Sequence, residues 1–206
     1  MVKNVKLKMI LLGDAYSGKT SIMNRYFNNV FEHDSKSTIG VDFFKTTIEK
    51  NGTQYSIFIW DTSGQDKFNS IIKSYYRNMT VAILVFDLSN KESIYNIQNW
   101  LNSINTYCHK DIIIHLVGNK CDKDITIDYD FMTELCRNND LKFSEVSAKN
   151  NVNINRLIDT ILTNIDTQIS TSILKPNKDN GLTILESFNF NDQIIIEENK
   201  NCCTIL

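Results

Sequence analysis

The stretch Gly13-Asp14-Ala15-Tyr16-Ser17-Gly18-Lys19-Thr20 constrains the fold more than any other feature, because it fits G-x-x-x-x-G-K-[ST] between an apolar run and a helical pattern. Val5 to Leu12 reads as a strand stopped by Gly13, and from Gly18 onward Ile22, Met23, Tyr26 and Phe27 recur at helical spacing. Strand, glycine-bounded turn and helix in that order make a phosphate cradle, in which successive backbone N–H groups and the positive end of the helix surround an anion. Lys19 then reaches the β- and γ-phosphates, and the Thr20 hydroxyl is offered to Mg²⁺.

The rest of the pattern predicts an α/β domain. Val41 to Glu49 and Tyr55 to Trp60 are rich in β-branched and aromatic residues and flank Asn51-Gly52, a dipeptide favoured in tight hairpins because both residues accept φ > 0. Compact apolar runs over 81–88, 112–117 and 141–146 suit strands covered on both faces. Helical patterns lie between and after them, over 91–108, 128–139 and 151–169. Alternation of this kind implies a mostly parallel six-stranded sheet with helices on both faces and one antiparallel edge strand from the hairpin. Residues 1–170 form the expected domain; residues 171–206, interrupted by Pro176 and Gly181 and rich in Asn, Ser and Thr, are expected as a largely unstructured tail.

Composition narrows the function. Lys+Arg 22 against Asp+Glu 24 leaves a formal charge of -2, so the general basic excess of a nucleic-acid binder is missing. Five Cys without a C-x-x-C pair, and no secretory pattern ahead of them, read as a chain of a reducing compartment. The apolar run Met9 to Leu12 ends at Gly13, far short of the roughly 20 residues that span a bilayer.

Three further strand ends carry chemistry. Asp61 closes the strand Tyr55 to Trp60 and is suited to hold Mg²⁺ through water, Gly64 permits close backbone approach to a terminal phosphate, and the Gln65 amide can orient an attacking water. Asn119-Lys120-Cys121-Asp122 follows the strand ending at Val117-Gly118, at the edge where open α/β sheets bind ligands. An Asp there can accept hydrogen bonds from the ring N–H and exocyclic amine of guanine, which adenine does not present in that arrangement. Ser147-Ala148-Lys149 follows the last strand, where the Ala148 N–H is expected to face the guanine keto oxygen.

With these motifs in order, residues 5 to 170 resemble the Ras superfamily of small GTPases and its phosphate-loop fold. Within it they resemble Rab GTPases, through Ser37-Thr38-Ile39-Gly40-Val41-Asp42-Phe43, Trp60-Asp61-Thr62-Ser63-Gly64-Gln65 and Tyr75-Tyr76-Arg77-Asn78-Met79. The resemblance implies GTP/GDP and Mg²⁺ as ligands, with nucleotide contacts along Gly13 to Ser21 and from Gly64, and a metal site of Thr20, Thr38 and Asp61. It implies Thr38 on the γ-phosphate, Phe31 against the base, and guanine held by Asn119, Lys120 and Asp122 with Ser147, Ala148 and Lys149. Lys19 and Gln65 would carry hydrolysis, which is slow without a partner because no arginine finger is identifiable in cis. Ile39, Gly40, Val41 and Asp42 with the aromatic triad Phe43, Trp60 and Tyr75 would meet effectors.

Departures from the Rab pattern are Ser63 for alanine, Asp66-Lys67 for Glu-Arg, Asn78 for glycine, and Tyr16, where the phosphate loop usually carries a small residue. Tyr16 is expected to project toward solvent or over the phosphates, where it either shields the nucleotide, obstructs the arginine of an activating protein, or faces solvent without consequence. The terminal Cys203-Thr204-Ile205-Leu206 reads as C-a-a-X with X = Leu, a geranylgeranyl signal, and Cys202 supplies a second anchor in place of an absent polybasic patch. The resemblance further implies an exchange factor, a GTPase-activating protein, a prenylation escort protein and a GDP-dissociation inhibitor. The expected protein is a monomer on the cytoplasmic face of an intracellular or plasma membrane, cycling with the cytosol and recruiting effectors in vesicle traffic. The rival readings are a phosphate-loop ATPase or nucleotide kinase, which Asn119-Lys120-x-Asp122 opposes, and a GTP-binding membrane scaffold with little hydrolysis, which the intact Gln65 opposes.

Overall fold

The computed structural model describes residues 3–33, 38, 40–64, 75–76, 79–170 and 183–185. Strand β1 (Lys3–Leu12) buries Val5, Leu7, Met9 and Leu11 on one face and Ile10 and Leu12 on the other, which is why its sequence is almost continuously apolar near its end. It leads through the phosphate loop into α1 (Lys19–Asn28). Strands β2 (Val41–Lys50) and β3 (Thr53–Thr62) form the expected hairpin, with Lys50 opposite Thr53. Its turn residues Asn51 and Gly52 sit at φ 50 and 72, the two positive dihedrals that such a turn demands.

The chain continues as β4 (Val81–Asp87), α2 (Lys91–Tyr95), α3 (Ile97–Tyr107), β5 (Ile113–Asn119), α4 (Tyr129–Asn138), β6 (Lys142–Glu145), α5 (Ile154–Ser170) and β7 (Thr183–Leu185). The sheet runs β2-β3-β1-β4-β5-β6, parallel from β3 to β6 with β2 as the antiparallel edge. Helices α1 and α5 cover one face, with Ile22, Met23, Leu157 and Ile161 in its core. Helices α2, α3 and α4 cover the other, through Ile94, Leu101, Ile104 and Leu135.

Three expectations need correction. The helix expected over 91–108 is two helices, because the chain makes tight turns on either side of Asn96: Asn99 N–H donates to Asn96 O at 3.0 Å. Helix α5 starts at Ile154 rather than 151, since Asn151 and Asn153 take φ 57 and 58, outside the right-handed helical region. The sheet, expected with six strands, has a seventh: Thr183–Leu185, in the segment 171–206 expected as a largely unstructured tail, form β7. It pairs antiparallel with Asn4, Val5 and Lys6. The physical reason is an open edge: β4 meets β1 only from Met9 onward, leaving the backbone groups of residues 4–6 on that side available to another strand.

One core residue sets a pH dependence. His115 on β5 is fully buried, its Nε2 lies 2.9 Å from Ser144 Oγ and its Nδ1 has no partner among the described residues; burial pushes its pKa down to about 4. The unfolded chain therefore binds a proton between pH about 6.5 and about 4 that the folded chain refuses. Stability is full above that window and declines as pH falls through it, by about 3 kcal/mol at 1.36 kcal/mol per pKa unit. His115→Leu is expected to flatten this slope in urea titrations from pH 7 to 4; an unchanged slope would assign the acid sensitivity elsewhere.

Candidate functional site

Parallel strands place their carboxyl ends on one edge, and the motifs gather there. Asp61 on β3 lies opposite Leu11 on β1, and Thr62 Oγ1 donates to Leu11 O at 2.6 Å, fixing the end of β3 beside the phosphate loop. Gly13 sits at φ 135, where a Cβ would lie 2.0 Å from Val85 O. Gly18 sits at φ 93 against the Asn119 amide, and a Cβ on Gly64 would lie 2.2 Å from Ala15 N. Each glycine is thus required by backbone conformation, close approach or both.

The phosphate end combines a buried cation with hard oxygen donors. Lys19 is 5% exposed, and its Nζ donates to Gly13 O and Asp14 O, each at 2.9 Å. Burial lowers its pKa to about 8, against the opposing charges of Asp61 and Asp14. Thr20 Oγ1 lies 2.7 Å from Thr38 Oγ1 and donates to Asp61 Oδ2 at 2.5 Å. Asp61 is fully buried, its Oδ1 has no partner among the described residues, and burial raises its pKa to about 6 although Thr20 and Lys19 oppose the shift. Two hydroxyls and a carboxylate with a free, buried oxygen are the donor set that suits Mg²⁺. The residues present fit the ion.

Asp14 shows what sequence reasoning missed. Its carboxylate accepts from Asn96 Nδ2 at 2.9 Å and Trp100 Nε1 at 3.0 Å, so α3 and the turn before it tether the phosphate loop. Nothing in a helical pattern marks Asn96 or Trp100 for this work. Trp100→Phe keeps most of the buried ring and removes the donor, and loss of a hydrogen bond to a charged group costs about 1.5–3 kcal/mol. Nucleotide affinity in this variant is expected to fall roughly tenfold by equilibrium titration, since about 1.4 kcal/mol is tenfold.

At the base end, a cavity of about 530 Å³ is lined by Tyr16, Phe31, Asn119, Lys120, Asp122 and Ala148, among others including Ser21 from the first turn of α1 and Lys149. Asn119 joins its walls: Nδ2 donates to Ser17 O at 2.9 Å and Oδ1 accepts from Ala148 N–H at 3.2 Å. The Ala148 N–H, expected to face a guanine oxygen, thus serves the Asn119 amide. Ser147 Oγ donates to Asp122 Oδ1 at 2.5 Å and accepts from Asn150 N–H. Lys120, at φ 66, pairs with Asp87 at 2.6 Å. Burial pushes the Asp87 carboxyl up, but hydrogen bonds from Lys120 and Ser89 outweigh it and hold the pKa below the ordinary value. Arg25 donates to Ala148 O and Lys149 O, bracing that loop from α1.

The remaining expected residues distribute as follows. Gly40, at φ 83, accepts from Ser63 N–H at 3.0 Å, and Val41 and Asp42 begin β2 opposite Thr62 and Asp61. Phe43 is 48% exposed and meets Trp60 with ring centroids 5.1 Å apart, while Tyr75 and Trp60 both pack against the core of the α3 face. Tyr16 is 73% exposed at the third position of a turn closed by Ser17 N–H to Asp14 O, where φ 64 is uncommon for a bulky side chain. Gln65, Ile39, Cys202 and Cys203 lie outside the described residues.

Sheet order and the loops at its carboxyl edge define the class as a small phosphate-loop GTPase. A family model described as Ras family matches residues 8–167. Ras-related protein Rab-10 of Diplobatis ommata is 36% identical over 175 residues, 84% of this chain and 86% of its own length. Ras-related protein Rab-12 of Homo sapiens is 35% identical over 184 residues, covering 88% and 75%, and Ras-related protein Rab-11C of Dictyostelium discoideum 34% over 160, covering 77% and 71%. The chain belongs to the Ras family, in its Rab branch. It is a GTP hydrolase that binds GTP and GDP with Mg²⁺ and acts as a switch in vesicle traffic.

Proposed function

We propose that residues 1–170 form the GTP-dependent switch and that residues 171–206 attach it to a membrane. The observation that carries the first half is the convergence of Thr20, Thr38 and Asp61 within hydrogen-bond distance beside the buried Lys19. Thr38 belongs to the segment between α1 and β2, and Gly64 abuts the phosphate loop, so both are suited to respond to a γ-phosphate. Thr20, Thr38 and Asp61 would hold Mg²⁺, which would supply positive charge to neutralise the phosphate oxygens. Lys19 holds the phosphates, Asp122 selects guanine, and Gln65 orients the attacking water. A partner-supplied arginine raises such rates by on the order of 10⁵-fold. The surface of Phe43, Trp60 and Tyr75, with Ile39 to Asp42, is where an effector reads the bound state, and an exchange factor and an activating protein act on the same loops.

Competition of GTP against ATP on the purified chain, followed by single-turnover cleavage of bound GTP, tests this reading. Preference for GTP by orders of magnitude with slow cleavage supports it; equal binding of ATP overturns the base assignment.

Among the described residues no helix is long and apolar enough to cross a membrane. Attachment is assigned to prenylation of Cys203 and a second lipid on Cys202, delivered by an escort protein and reversed by a GDP-dissociation inhibitor, on the cytoplasmic face of the membrane. One chain binds only marginally. Cys203→Ser is therefore expected to become soluble and Cys202→Ser to be weakly held in cell fractionation; full membrane retention of the double variant refutes the anchor.

A further inference from the structure

Tyr16 is the residue of the phosphate loop that no step above uses. It stands at the third position of the Asp14–Ser17 turn with φ 64, a place that such turns reserve for Gly or Asn. Tolerating a bulky residue there is a backbone outlier of the kind that clusters at ligand clamps. Its side chain is 73% exposed and nevertheless borders the base-end cavity, together with Phe31 and His33, whose rings meet edge to face at 5.2 Å. This location differs from the space over the terminal phosphate, where Lys19, Thr20 and Asp61 gather.

The loop takes the phosphates and Asp122 takes the base, so a ring rising from the loop into the border of this cavity meets the sugar that joins them. We propose that Tyr16 is a contact residue for the ribose of the bound guanine nucleotide, covering it with its ring and slowing its release. The inference rests on the nucleotide reading above. An aromatic ring supplies a large apolar face with few rotatable bonds, so it covers a ligand at little entropic cost. The exposed ring loses water contact only when the nucleotide is present, which makes its contribution a property of the bound state.

Two effects of replacing Tyr16 have opposite signs. Gly and Asn relax the left-handed backbone, which stabilises the empty protein; loss of the ring uncovers the sugar, which speeds release. The test uses the full chain loaded with tritiated GDP, whose ribose is unmodified, chased with excess unlabelled GDP in the presence of Mg²⁺. Tyr16→Gly and Tyr16→Asn are expected to release GDP roughly tenfold faster, the equivalent of about 1.4 kcal/mol. Thermal midpoints of the empty variants should be equal to or above that of the parent, and Tyr16→Phe should release within about twofold of the parent rate. Release from the Gly and Asn variants at the parent rate or slower overturns the proposal, as does a Phe variant as fast as Gly. A parent protein that fails to hold GDP one to one overturns the nucleotide reading as well, and is recognised before any variant is compared.

Discussion

Asp122→Asn is expected to lose GTP affinity by roughly 10³-fold and to gain xanthosine triphosphate, because a buried donor or acceptor left facing its own kind discriminates by several kcal/mol. The structure shows how the exchange is oriented. Ser147 Oγ donates to Asp122 Oδ1, and Ser147 is itself held by Asn150 N–H. An asparagine keeps its carbonyl oxygen on Ser147 and turns its amide donor to the base. Guanine presents donors on that edge, whereas xanthine presents an oxygen in place of the exocyclic amine. Competition binding with both triphosphates checks this; unchanged GTP affinity would remove Asp122 from the base site.

Thr20→Asn should weaken GTP by on the order of 100-fold and GDP by about tenfold or less, since the metal that Thr20 would help to hold would neutralise charge that is greatest in the triphosphate. The hydroxyl stands between Thr38 Oγ1 and Asp61 Oδ2, at 2.7 and 2.5 Å. Its loss leaves the buried Asp61 carboxylate without that donor. Titration with GTP and GDP at fixed Mg²⁺ separates two roles: equal loss for both nucleotides would make the hydroxyl a structural bond to Asp61 and Thr38 only.

What the sequence by itself determined is contiguous. The phosphate loop, Asp61 to Gly64, Asn119 to Asp122 and Ser147 to Lys149 were legible because each is a run of consecutive residues at a strand end, a context that hydrophobic patterning reveals. The hairpin was legible from Asn51-Gly52 for the same reason. The tertiary structure decided what depends on strand order and on residues far apart in the chain. Asp14 is tethered by Trp100 and Asn96, 86 and 82 positions away, and Asn119 spans the loops of β1 and β6. Lys120 turns to Asp87, and Ala148 N–H to Asn119. Such pairs leave no periodic trace, because a buried polar group takes whichever partner the sheet brings within about 3 Å of it. The pairing of β7 with β1 was invisible for a related reason: it answers an edge that exists only because β4 begins beside Met9.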